Sequence, residues 1–317
     1  MALPNFLGVG FFRCGTTWLH DLLDSHPDCY MPQAFKEVHF FADKHFPRGQ
    51  AWYESFFPVD AEKFKAIGEI GPRYAKPGQV ERCLERIATF PSLAEDGRFL
   101  FIIRNHVDRA YSGYKQASAS RGALSFDDYR REHEAEKGPL IQPFAPTIDA
   151  YRQRFGPERV LVVRLEDAYG NPASTRGRVA DFLGLDPTRF PSDAGGAAAN
   201  ASEAAMRGPV YRAAARVNVW LIRNGMHHLS GRLRRLGLQR VLRVFSSNKP
   251  TEYGSMSATA IAELSAEAEP DRQHLETMLG INLDDWRTRN SERANQPTPP
   301  TASNTSTPPT PTLPSHA

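Results

Sequence analysis

Three short stretches of the chain are apolar almost without interruption: Phe6-Leu-Gly-Val-Gly10, Phe99-Leu-Phe-Ile-Ile103 and Val160-Leu-Val-Val163. Runs of this length without alternation fit strands buried on both faces, as in a parallel sheet. Each gives way to a polar turn and then to helical spacing. Thr17 to Asp24 places apolar side chains at 18, 19, 22 and 23, one face of a helix. Val107 to Gln116 follows the second run, and Thr175 to Leu183 the third, with Gly184 placed to cap it. Strand alternating with helix predicts an α/β fold, a central parallel sheet flanked by helices. Ligands of such sheets bind beyond the carboxyl ends of the strands.

Two regions break this pattern. From Arg207 to Lys249 the chain carries nine arginines and one lysine with no acid, interleaved with Val210, Val217, Val219, Trp220, Leu221, Ile222, Leu233, Leu236, Leu238, Val241 and Leu242. It reads as two or three basic amphipathic helices. A solvated face covering the sheet, a mouth that attracts an anion, and a surface for peripheral contact with anionic membrane lipid all fit it. Pro297 to Ala317 holds seven prolines with Leu313 as its one large apolar side chain, too little to offset ordering entropy. The expectation is one domain over 1–290, containing the basic segment 207–249, and a disordered Pro/Thr-rich tail over 291–317.

The 317 residues include 39 Lys+Arg and 36 Asp+Glu, a formal net charge of +3. That balance argues against a general polyanion binder, so no nucleic-acid partner is expected, but it does not exclude a local basic site. Cys14, Cys29 and Cys83 have no paired spacing, which speaks against a disulfide scaffold and against a zinc site. The N-terminus lacks a basic n-region, and no run approaches the ~18 apolar residues of a membrane span. A cytoplasmic, reducing environment is the default expectation.

The first apolar run leads straight into Gly10-Phe-Phe-Arg-Cys-Gly15-Thr16-Thr17. A G-x-x-x-x-G turn between strand and helix makes an anion cradle from backbone N–H groups and the positive end of the helix. A nucleoside-triphosphate loop would continue with lysine; here the cation sits inside the loop, at Arg13. A P-loop kinase or hydrolase lacking that lysine is therefore one alternative, and a basic membrane-peripheral binding protein led by 207–249 is another.

Arg13-Cys-Gly-Thr-Thr-Trp-Leu resembles the 5′-phosphosulfate loop of sulfotransferases that use 3′-phosphoadenosine 5′-phosphosulfate (PAPS), a pattern of Lys/Arg-x-Gly-Thr-Thr-x-Leu. His26-Pro27 fits the same family, and Lys36-Glu-Val-His-Phe-Phe41 is similar to a segment of its heparan-sulfate-type branch. Arg104-Asn-His-Val-Asp-Arg-Ala-Tyr-Ser112 resembles the family's 3′-phosphate motif, with His106 where proline is usual. Val160 to Asp167, Phe182 to Leu185 and Leu275 to Trp286 resemble later segments, so the likeness spans about 7–286. It implies a P-loop-like sulfotransferase architecture and an enzyme that moves the sulfuryl group of PAPS to a hydroxyl of a saccharide or small metabolite, with no metal ion required.

The resemblance places Arg13, Cys14, Gly15, Thr16, Thr17, Trp18, Arg104 and Ser112 at the donor, joined by Lys249 from a C-terminal loop. It puts the base at Glu37. Glu37 and His39 are spaced i, i+2 and share a side in an extended segment, so His39 either orients the carboxylate, binds substrate or is itself the base. Arg13 serves as an electrostatic catalyst, since guanidinium does not give up its proton. Lys36, Glu69 and Arg73 are assigned to the acceptor side. Gly68-Glu-Ile-Gly-Pro-Arg-Tyr74 departs from the family's Glu-Lys-Thr/Ser-Pro-x-Tyr at Ile70, where a lysine is common.

Overall fold

The computed structural model describes residues 2–33, 35–42, 45–121, 124–192, 194–195 and 253–294. In chain order these form β1 (Phe6–Gly10), α1 (Thr16–Asp24), β2 (Cys29–Tyr30), α2 (Gln50–Glu54), β3 (Ala66–Ile70), α3 (Val80–Ile87), α4 (Pro91–Ala94), β4 (Arg98–Ile103), α5 (His106–Arg121), α6 (Phe126–Lys137), α7 (Ala145–Phe155), β5 (Val160–Arg164), α8 (Leu165–Gly170), α9 (Pro172–Leu183), α10 (Ala258–Leu279) and α11 (Asp284–Ala294). The five strands make one sheet in the order β2-β3-β1-β4-β5, every pair parallel. The expected α/β architecture is thus present.

The three apolar runs are β1, β4 and β5, and β1 sits at the centre of the sheet with all five residues buried. β2 and β3 had no comparable signature. β2 has two residues, and β3 interrupts its apolar run with Gly68 and Glu69. α9 starts earlier than its spacing indicated because Asn171 caps it, accepting from the Ser174 N–H, and it ends at Gly184 in the left-handed conformation expected there (φ 69°).

The order of strands decides where the site can be. β1 lies between β3 and β4, so the chain leaving all three does so side by side at one edge of the sheet. The loop 11–15, the start of α5 and the turn Pro72–Ala75 converge there. A fourth segment, 35–41, is anchored by aromatic packing. Phe40 stacks on Tyr53 at 4.4 Å, and Phe41 meets Phe90 edge-on at 5.1 Å. Burying each of these phenylalanines contributes about 2 kcal/mol, enough to fix a segment with no ladder of its own.

Residues 207–249, including Lys249, lie outside the described residues, as do 295–317. α11 carries helix past the expected boundary at 290, to Ala294. Among the described residues no helix is long and apolar enough to cross a membrane.

Candidate active site

The loop between β1 and α1 holds two residues in left-handed conformation, Arg13 (φ 67°) and Gly15 (φ 101°). Glycine is required at 15 on two counts. The conformation disfavours a side chain, and an added Cβ would lie 2.5 Å from Leu165 Cδ1. α1 opens directly after Gly15 with no side-chain cap, so its first-turn N–H groups remain available at the helix end.

Two expected loop ligands turn inward. Trp18 is 2% exposed and donates its indole N–H to the Gly195 carbonyl at 2.9 Å, so its ring is packed with the core. Cys14 is fully buried; burial pushes its thiol up to about 11, and it donates weakly to the Phe12 carbonyl. Only its backbone faces a role in the cradle. Thr16 and Thr17 remain at the start of α1, where the sequence placed them.

Beyond β4, Asn105 caps α5 by accepting from the N–H groups of Val107 and Asp108 at 2.9 and 3.3 Å. That turn directs Arg104 and Ser112 toward the first loop. Arg13 Nε and Nη2 both donate to Ser112 Oγ, and Arg104 Nη1 reaches the Arg13 carbonyl at 3.5 Å. Two groups of residues expected to anchor anions, far apart in sequence, are therefore in direct contact. A partly buried arginine behind them, Arg109, donates to the Phe12 carbonyl at 3.2 Å and to Gln142, bracing the loop from below.

The segment 35–41 supplies the remaining chemistry. Lys36 Nζ donates to Thr17 Oγ1 at 2.8 Å and to Thr16 Oγ1 at 3.5 Å, and lies 3.4 Å from Glu37 Oε1. Lys36 was expected on the acceptor side; the structure seats it at the head of α1 instead. A cation occurs at the end of this loop after all, delivered from 20 residues away, and spacing alone does not reveal it. Glu37 Oε2 is 3.0 Å from His39 Nε2. The expected meeting of these two side chains occurs, though not through an extended backbone: His39 has φ 56° and the segment is not a strand. Burial alone would raise the Glu37 pKa, but the hydrogen bond from His39 and the charge of Lys36 outweigh it and hold the carboxyl below its ordinary range.

Glu69 is the clearest correction. It has no exposed surface. Oε2 accepts from the N–H groups of Val38 and His39 at 2.8 and 3.3 Å, and Oε1 accepts from the hydroxyls of Tyr53 and Tyr74 at 3.0 and 2.6 Å. A carboxylate with four donors inside the core has no means of touching an acceptor. It pins the backbone of the Glu37–His39 pair instead, and burial raises its pKa despite the donors. Ile70 is likewise fully buried, packed so closely over Gly8 that an added Cβ there would lie 2.6 Å from Ile70 Cγ1. Arg73 is exposed on the turn after β3.

Among the described residues no group of His, Cys, Asp or Glu is arranged to hold a metal ion. A phosphate-sized anion does fit the chemistry of the edge: free helix N–H groups, Arg13, Arg104, Lys36 and three hydroxyls, with one ionised carboxylate beside them.

The family model described as the sulfotransferase domain matches residues 3–208. The chain is 31% identical over 191 residues to human heparan sulfate glucosamine 3-O-sulfotransferase 6, covering 57% of this chain and 52% of that protein. It is 28% identical over 202 residues to human bifunctional heparan sulfate N-deacetylase/N-sulfotransferase 3, covering 58% and 23%. The chain thus spans about half the length, or less, of these curated relatives. A sulfotransferase from Alicyclobacillus acidocaldarius shares the fold, with a TM-score of 0.60 and 24% identity over 90% of this chain and 100% of that one.

Proposed function

The chain belongs to the sulfotransferase domain family, and from that premise we propose that it transfers the sulfuryl group of PAPS to a hydroxyl acceptor, releasing 3′-phosphoadenosine 5′-phosphate (PAP). The observation that carries this reading is the position of Lys36, whose ammonium touches the threonine at the head of α1 on one side and the Glu37 carboxylate on the other. In-line transfer needs a leaving group, a transferred group and a base in one row. One lysine here spans the two ends of such a row.

The residues present suit the donor. The first-turn N–H groups of α1 with Thr16, Thr17 and Arg13 would hold the 5′-phosphosulfate, and Arg104 with Ser112 the 3′-phosphate. As the bond between sulfur and the 5′-phosphate oxygen breaks, its electron pair stays on that phosphate, where Arg13 and the N–H groups offset the charge. Lys36 is placed to neutralise the oxygens of the transferred group, which offers a substitute for the lysine missing at Ile70. The acceptor hydroxyl forms the new S–O bond and gives its proton to Glu37. The Glu37 carboxylate is ionised at neutral pH, as a base must be, and His39 holds it in orientation.

The names of the curated relatives support a saccharide acceptor, and the 3-O-sulfotransferase among them supports a hydroxyl on it. Titration calorimetry with PAP and with Mg-ATP separates this reading from a nucleotide kinase or hydrolase. Micromolar binding of PAP with no binding of Mg-ATP is expected; the reverse would overturn it.

A further inference from the structure

The start of α5 is not held by the matched domain alone. His106, buried where the family usually has proline, places Nε2 at 2.8 Å from Asp271 Oδ2 on α10. A carboxylate only accepts, so the imidazole is the donor. Asp271 has two more partners: Oδ2 accepts from the Phe144 N–H at 2.8 Å and Oδ1 from the Ala145 N–H at 2.9 Å, at the beginning of α7. Each arm leads to one half of the donor site. His106 is two residues from Arg104 and shares α5 with Ser112. Phe144 packs on Phe11 at 4.5 Å and carries the Arg109 guanidinium at 5.0 Å over its ring, and Arg109 in turn holds the Phe12 carbonyl. The His106 ring itself stacks on Phe144 at 4.5 Å.

We propose that Asp271 is a positioning residue for PAPS, a single buried carboxylate that fixes the phosphosulfate loop and the 3′-phosphate anchor relative to each other. It lies beyond residues 3–208, the part of the chain that the family model covers, so the C-terminal helices complete the donor site. α11 reinforces the same turn: Asn105 Nδ2 donates to the Trp286 carbonyl at 3.1 Å, and Asp108 pairs with Arg289 and Arg293. His106 then has a reason to differ from proline. Histidine at this position sets the first turn through its contact with Asp271, which a proline side chain has no donor to make.

The proposal rests on PAPS being the donor, and the test keeps the two apart. Titration calorimetry measures PAP and adenosine 5′-monophosphate, which lacks the 3′-phosphate, against the full-length chain and its Asp271→Asn, His106→Pro and His106→Gln variants. Asp271→Asn and His106→Pro should weaken PAP about tenfold, the value of one charge-assisted hydrogen bond, and narrow the preference for PAP over the monophosphate. The KM for PAPS should rise with kcat within about threefold, because no reacting atom is touched. His106→Gln, which keeps a donor toward Asp271, should recover most of the PAP affinity. Folded Asp271→Asn or His106→Pro protein that binds PAP as tightly and as selectively as the parent would overturn the proposal, and so would a fall in kcat at unchanged KM. If one variant does not fold, the other tests the same pair from its opposite side. A parent chain that binds no PAP removes the donor reading itself, and this proposal with it.

Discussion

Arg13 and Ser112, 99 residues apart, are joined by two hydrogen bonds: Nε and Nη2 of the guanidinium both donate to the serine oxygen, at 3.1 and 2.7 Å. The loop proposed to hold the phosphosulfate and the residues proposed to hold the 3′-phosphate are therefore one connected unit. Groups in contact do not contribute independently. Arg13→Ala and Ser112→Ala should each weaken PAP by about tenfold to a hundredfold, and the double variant should lose less than the product of the two. A double-mutant cycle on PAP affinity measures this; strictly multiplicative losses would mean the contact is irrelevant to the donor.

In the proposed mechanism Lys36 acts on the transferred group and on the base together. Lys36→Met should lower kcat about a hundredfold, in line with the removal of one preorganised donor from a reacting centre. The same charge helps hold Glu37 below its ordinary range. For a carboxylate with a depressed pKa, the active ionised form persists as pH falls and is lost only on passing through that low value. Without Lys36 the acid limb of kcat/KM should move to higher pH. A pH–rate profile that keeps its acid limb in place would contradict the assignment.

Glu69 separates packing from catalysis. Alanine at 69 leaves the Tyr53 and Tyr74 hydroxyls and two backbone N–H groups buried without acceptors, a loss of more than about 3 kcal/mol. Glutamine keeps an acceptor for the N–H groups, and the two hydroxyls are able to rotate and accept from its amide. Because the folded-state pKa of Glu69 is raised, its contribution to stability is present at low pH and fades as pH rises through that value. Glu69→Gln should therefore melt higher than the parent at alkaline pH and lose that advantage at acid pH. Melting curves across pH, with kcat within about threefold of the parent for glutamine, are the check.

Gly15→Ala tests the cradle. It forces a side chain into φ 101° and against Leu165 Cδ1. The strain should cost roughly 1–2 kcal/mol of stability and most of the PAP affinity. Trimming Leu165 to alanine as well should relieve the clash but not the conformation, so affinity should stay low. Recovery in the double variant would show that packing alone demanded glycine.

Much of this site was readable from local pattern. β1 and β4 announced themselves as unbroken apolar runs because both their faces are buried, and β5 carries the same kind of run although it is an edge strand and only partly covered. Arg13, Gly15 and the two threonines formed a contiguous motif, and Glu37 and His39 do meet. What failed was whatever depended on where separate segments pack. β3 was invisible because Glu69 interrupts it, and the four donors that make a buried glutamate tolerable come from three other places in the chain. That the Trp18 ring packs inward on Gly195 was likewise not legible from its place in the loop motif. Lys36 is one residue from the proposed base and was expected on the acceptor side, since only the fold shows that the segment crosses the head of α1. Asp271 carried no motif at all.

The most direct test of the whole account is transfer of radiolabelled sulfur from PAPS to a pool of saccharides and small hydroxyl compounds, followed by the parent chain, Glu37→Gln and Arg13→Ala. The account predicts labelled, sulfated product with the parent chain, and a loss of about a thousandfold or more in both variants while PAP still binds Glu37→Gln. Full transfer by Glu37→Gln and Arg13→Ala, or none by a parent chain that binds PAP and is offered hydroxyl acceptors of every class, would contradict it.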